Sequence, residues 1–163
     1  GADFKTQITQ PLGEWNIDIM GFAETLPDYK NHVRLSKDQK DKWGQPQMIM
    51  SAEFGENERK MRIDIKNDAA EMLEASGFKN IETYDYQPGF GLSIHEMGTA
   101  RMGRDPKTSV LNGHNQVWGC SNVFVTDGAC MTSSSNVNPS LTYMALSARA
   151  ADFAVKELKK GNL

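Results

Sequence analysis

The sequence predicts an α+β fold, a mostly antiparallel sheet flanked by helices. Three observations lead there. Apolar and polar residues alternate over residues 14–22 and again over 48–54, the period of a strand with one buried face. Over 57–76, and again from Pro139 onward, apolar residues recur at the spacing of an amphipathic helix. The strand-like stretches follow one another with only turns between them, which favours an antiparallel meander over parallel units.

Taken in order, Trp15, Ile17 and Ile19 face one way and Asn16 and Asp18 the other, which predicts a first strand. Leu26 to Asn31 reads as a turn, 32–35 as a short second strand and 36–44 as a polar connection. Met48, Met50, Ala52 and Phe54 alternate as a third strand. Met61, Ile65, Ala69, Met72 and Leu73 then define a helix, with Gly77 as its C-terminal cap and Phe78 packing back on the last turn. Residues 81–87 read as a further strand, and Pro88-Gly89-Phe90-Gly91 as a loop and boundary. Beyond it, 92–121 are rich in Gly, Asn and Ser, and Asn122 to Gly128 is a compact apolar strand. In the last helix Leu141, Met144, Ala145, Ala148, Ala151, Val155 and Leu158 share one face, lysines cluster near its end and Gly161 closes it.

The 163 residues suffice for one domain with a core. With 18 basic and 21 acidic side chains interspersed, no basic stripe forms, which argues against nucleic acid as a partner. No apolar run is long enough to span a membrane. Cys120 and Cys130 lack the company of ligand-spaced His or Cys, so no metal site is expected and both read as small buried thiols. Gly89-Phe90-Gly91 lacks the third glycine of a dinucleotide loop, and Ser133-Ser134-Ser135 lacks the glycines of a nucleophile elbow. The opening Gly-Ala-Asp-Phe-Lys has neither a methionine nor a signal-peptide pattern, and the compartment is left open.

Two places carry chemistry. His95 lies in a glycine-flanked loop rather than on an apolar helical face, and an imidazole, titrating near ~6.5, is the usual group for taking a proton from a hydroxyl. Gly98 and Gly103 allow close backbone approach or positive φ around it. Judged alone, His95 also fits a structural loop histidine. Asn138-Pro139 has the preferred residues for an N-cap and a first helical position, so the last helix is expected to start there, its free N–H groups and dipole aimed at whatever lies before it. By spacing alone Asn138 is simply a good cap. His32 and His114 read as strand-edge and turn residues.

Three motifs in order then suggest a family. His95-Glu96-Met97-Gly98-Thr99-Ala100-Arg101-Met102-Gly103 resembles the catalytic-histidine segment of the glucose-methanol-choline (GMC) flavin oxidoreductases. Asn122-Val123-Phe124-Val125-Thr126-Asp127-Gly128-Ala129 resembles the family's flavin-contacting strand, and Asn138-Pro139-Ser140-Leu141-Thr142 its Asn-Pro-Thr-Leu-Thr segment. More loosely, Leu26 to Leu35 and Asp41-Lys42-Trp43-Gly44-Gln45-Pro46 resemble its substrate-domain strands and connection.

The resemblance implies that His95 and Asn138 are catalytic, His95 as acid/base and Asn138 as hydrogen-bond partner of the substrate hydroxyl. It implies that Asp127, Gly128, Ala129, Asn138, Pro139 and Ser140 line FAD, largely through backbone groups. It further implies 1–90 as part of a substrate-binding domain and 91–163 as a catalytic and FAD-contacting segment. The family's N-terminal glycine-rich FAD-binding half is absent from the sequence, so the chain is expected to be a C-terminal fragment that by itself binds FAD weakly and does not turn over. The implied reaction is oxidation of a CH–OH group of an alcohol, sugar or polyol, in the style of bacterial gluconate and glucose dehydrogenases, with a dehydrogenase favoured over an oxidase and the electron acceptor left open. The implied partners are a small-molecule substrate, the missing half and an electron-acceptor protein. A stand-alone module that binds a sugar or a protein without catalysis is the alternative.

Overall fold

The computed structural model describes residues 1–11, 13–86, 89–91 and 94–163. In chain order these form helix α1 (Ala2–Ile8), strands β1 (His32–Lys40) and β2 (Pro46–Ser51), helix α2 (Glu56–Ala75), strands β3 (Gln116–Val117) and β4 (Cys120–Phe124), a 3₁₀ turn (Gly128–Cys130) and helix α3 (Ser140–Lys159). The α+β class holds. The sheet is two separate antiparallel pairs, β1 with β2 and β3 with β4.

The β1–β2 hairpin is built by short polar side chains. Asp41 Oδ1 accepts the N–H groups of Trp43 and Gln45, both at 2.9 Å, closing the connection. Ser36 Oγ accepts from Asp38 (3.2 Å) and Gln39 (2.9 Å), which accounts for the register shift between Leu35 and Lys40. Strand β1 thus continues to Lys40, where a polar connection was expected from residue 36. The alternation did not suffice elsewhere. Residues 14–22 and 81–86 form no strand, and position 87 lies outside the described residues. Alternation marks a surface suited to a ladder, but a strand needs a neighbour to pair with. Trp15 stands 83% exposed, without one. The expected meander is therefore a hairpin. Helix α1 had no counterpart in the sequence reading.

Helix α2 ends as its sequence requires. Gly77 takes φ +87°, the Phe78 N–H bonds the Leu73 carbonyl (3.1 Å) and the Gly77 N–H that of Glu74 (2.9 Å), a Schellman closure. At the other end the Glu58 carboxylate, 6% exposed, accepts from the Gly55 N–H (2.9 Å) and, across the fold, from the Leu26 N–H (3.0 Å). This anchors residues 22–26 to the start of α2.

The buried apolar residues are Leu111, Cys130 in the 3₁₀ turn and Ala150 on α3. Bridges join Met102 to Leu111 and Leu111 to Val117, so 101–125 folds around Leu111. The rest is open. The accessible surface is 13049 Å² for 18.1 kDa, against roughly 8,000 Å² for a compact monomer of that mass. On the hairpin, Val33 pairs with Met50 and Leu35 with Met48, yet all four are exposed. On α3 the apolar face is the outward one, with Leu141, Met144, Val155 and Leu158 exposed, while the face bearing Tyr143, Ser147, Ala150 and Phe153 packs inward.

Burial works to raise the Glu58 pKa, but hydrogen bonds from the main chain of Leu26, Glu58 and Gly55 and from the Asn57 side chain bring it below the ordinary value. A lowered folded pKa adds stability above the unfolded value of ~4.3 that fades as pH falls through the folded one. Glu58→Gln should therefore cost about 1–3 kcal/mol at pH 7, and the gap from wild type should narrow below about pH 4. Urea unfolding at pH 7 and pH 3 checks both.

Candidate functional site

The three motif segments converge. The His95 segment runs beside the 3₁₀ turn, with the Ala100 N–H bonded to the Ala129 carbonyl (3.0 Å) and the Met102 N–H to that of Cys130 (2.9 Å). Helix α3 closes over both. The Tyr143 hydroxyl reaches Met97 Sδ at 3.5 Å, and the Ser147 hydroxyl donates to the Thr126 carbonyl at 3.3 Å. Burial, then the negative charge near Cys130, Asp127 and Glu96, pushes the Tyr143 phenol above its ordinary pKa, so it keeps its proton and remains a donor.

Gly128 is the point of closest approach. A Cβ there would stand 2.8 Å from the Tyr143 hydroxyl, 2.9 Å from the Glu96 carbonyl oxygen and 3.2 Å from Met97 Sδ. Only a residue without a side chain lets the turn, the His95 segment and α3 meet. Gly98 has φ +86° and faces the Thr132 carbonyl, while Gly103 serves by close approach, since a Cβ there would overlap Ser109.

His95 is half-buried, with its own backbone in the left-handed region at φ +69°. That is unusual for a non-glycine residue and is the kind of local strain that clusters at functional positions. Its imidazole has no hydrogen-bond partner among the described residues. Asn138 is exposed and likewise has none. It is not the N-cap: Pro139 occupies that place, buried, and α3 starts at Ser140 with no side chain capping it. The expected start was one residue early, and the freed Asn138 amide is available to a ligand. So are the first N–H groups of α3, uncapped and beside exposed Ser140.

The flavin-lining candidates divide by what they already hold. Asp127 caps the 3₁₀ turn, its carboxylate accepting the Ala129 N–H at 3.0 Å. Ala129 therefore has both main-chain groups engaged, one with Asp127 and one with Ala100. Pro139 is buried, and Ser140 is exposed at the start of α3. Among the described residues no group of His, Cys, Asp and Glu could hold a metal ion. Cys130 is buried as expected, and burial pushes its thiol up, with the Asn115 side chain pulling the other way. Cys120 is exposed, against expectation.

Clefts lie along α2, one of about 460 Å³ bounded by Asn57, Lys60, Met61, Ile63 and Asp64. A second of about 300 Å³ runs between Phe22–Glu24, Met61, Ile65, Ser135 and Asn136 and ends two residues short of Asn138. The Glu24 carboxylate accepts the Ser135 N–H there at 3.2 Å. Sequence reasoning assigned no role to Tyr143, Asn115 or Arg149. Tyr143 at least sits in the first turn of a predicted helix, beside the motif.

The packing around Gly128 is testable. Gly128→Ala should destabilise the fold by about 1–3 kcal/mol, because the nearest obstacles include a main-chain oxygen that cannot swing aside. Denaturant unfolding reads the difference, and a change within experimental error would contradict the packing described.

The family model for GMC oxidoreductase matches residues 27–147. The chain is 37% identical over 145 residues to the fructose dehydrogenase large subunit of Gluconobacter japonicus, covering 89% of this chain and 26% of that protein. It is 38% identical over 138 residues to the 2-methyl-1,2-propanediol dehydrogenase of Mycolicibacterium austroafricanum, covering 83% and 24%. With the paromamine 6'-oxidase of Streptomyces fradiae it shares 33% over 135 residues, covering 81% and 24%. The chain spans about a quarter of the length of these curated relatives. A match over most of its residues, and kinship with dehydrogenases and oxidases of sugars and alcohols, make this chain a member of the GMC oxidoreductase family.

Proposed function

We propose that this chain forms the catalytic wall of an FAD-dependent oxidoreductase acting on the CH–OH group of an alcohol, sugar or polyol. One observation carries the reading. Two polar side chains without partners among the described residues, those of His95 and Asn138, sit on segments that Gly128, Ala129 and Tyr143 hold together. Polar side chains left unengaged beside a packed framework are suited to a ligand's polar atoms.

In this reading His95 takes the proton of the substrate hydroxyl, and Asn138 hydrogen-bonds the same oxygen and orients it. FAD, when bound, supplies the acceptor for the hydride leaving the carbinol carbon. The residues present suit that group. The uncapped N–H groups at the start of α3, with Ser140 and Asn138, offer donors and a positive dipole end to an acceptor edge that gains negative charge. Asp127 and Gly128 line it beside them, and Ala129 and Pro139 contribute shape.

The exposed wall calls for a counterpart. The surface excess over a compact monomer and the outward apolar face of α3 fit an FAD-binding half of the same protein packed against them. Residues 1–90 then belong to its substrate-binding domain and 91–163 to the catalytic segment. Two of the relatives named above are dehydrogenases, which favours a dehydrogenase that hands electrons to a separate acceptor.

The full-length protein should be yellow, and an anaerobic alcohol or sugar should bleach it. A colourless protein that takes up no added FAD would end this reading. Turnover should run with an artificial acceptor dye and far more slowly with oxygen alone. His95→Asn, which suits the left-handed backbone while removing the base, should lower kcat by roughly 10²- to 10⁴-fold with flavin binding kept. Unchanged kcat would show that His95 is not the base.

A further inference from the structure

Asn115 lies outside all three motifs, yet it is fully buried, at 0% exposure, and joins the parts they occupy. Its backbone is left-handed, φ +63°. Its carbonyl accepts the Val125 N–H at 3.0 Å, and its side-chain Nδ2 donates to the Val125 carbonyl at 2.9 Å. Its Oδ1 accepts from Arg149 Nη2 of α3 at 3.3 Å, and its amide lies against the Cys130 thiol. Arg149 Nη2 also reaches Met102 Sδ, at 3.6 Å, in the segment that carries His95.

We propose that Asn115 and Arg149 are positioning residues for the His95–Asn138 site, a step that rests on the function proposed above. Val125 precedes, and Cys130 ends, the turn whose Ala129 and Cys130 carbonyls hold the Ala100 and Met102 N–H groups, so fixing Asn115 fixes the track on which His95 sits. The Arg149 guanidinium ties α3 to the same knot, which sets the rotation of the helix and hence where Ser140 and Asn138 point. His114, next to Asn115, reinforces the tie by stacking on Phe153 of α3, with ring centroids 4.1 Å apart and planes within 2°. A displacement of about 1 Å at a reacting group can cost 10²-fold in rate, so small motions of this knot matter.

The test uses the full-length, FAD-loaded protein and two variants, Arg149→Met and Asn115→Asp. Arg149 is surface-accessible outside its guanidinium contact, so Arg149→Met leaves a folded protein to measure even if Asn115→Asp does not. Hydrogen exchange in the peptide spanning 96–103 should speed up about tenfold, with α2 and the β1–β2 hairpin unchanged. On an alcohol or sugar that bleaches the wild type, kcat per bound flavin should fall about tenfold or more, with KM within about threefold. Arg149→Lys should recover part of both. Lower thermal stability with normal exchange at 96–103 and normal kcat per flavin would overturn the proposal, leaving Asn115 a purely structural residue. If no alcohol or sugar bleaches the wild type, the proposed function fails, while exchange at 96–103 still decides whether this knot holds the His95 segment.

Discussion

A buried amide must have its hydrogen bonds met, and at Asn115 meeting them arranges half the molecule. Leaving one such donor or acceptor without a partner costs about 1–3 kcal/mol, a large part of the stability of a small fold. At zero exposure no solvent can stand in. The partners must come from the chain, and they come from Val125 before the 3₁₀ turn and Arg149 on α3. Satisfying one side chain thus brings the 112–116 turn, the 125–130 turn and α3 to a common point. The His95 segment joins through main-chain bonds to Ala129 and Cys130. Among the described residues, no buried side-chain nitrogen or oxygen lacks a hydrogen bond, so the constraint is met throughout.

The polar site and the apolar exterior are two sides of one arrangement. Helix α3 turns the face with Tyr143, Ser147, Ala150 and Phe153 toward the segments it holds, and leaves Leu141, Met144, Val155 and Leu158 outward. Covering those outward side chains as well would be favourable by about 25 cal/mol per Å² of apolar surface. The orientation makes sense for a wall whose other side is covered by protein. In the proposed function, the half-buried His95 and exposed Asn138 face that cover, the kind of place where ligand sites commonly form.

Much of this was legible in the sequence. Helix periodicity, with Gly77 and Gly161 as stops, placed α2 and α3 to within about a residue at each end, since periodicity and capping are local properties. The three motifs pointed to the segments that converge, and their chemistry suggested the roles of His95 and Asn138. Strand pairing was read less well. Residues 14–22 have the right alternation, but whether a strand forms depends on a partner that local pattern does not reveal. Asn138-Pro139 looked like a cap and first turn, and the chain shifted the cap by one residue, freeing the asparagine. Asn115 was invisible because an asparagine among Asn, Gly and His reads as a turn former. Its burial comes from partners 10 and 34 residues away.

We propose His95 as the base of an alcohol-oxidising flavoenzyme. The most direct test is the rate of anaerobic flavin reduction by substrate as a function of pH, in the full-length wild type and in His95→Asn. The wild-type rate should fall as pH drops and one essential base becomes protonated, and the variant should be slower and have lost that dependence. A variant that keeps the wild-type rate and pH dependence would contradict that role.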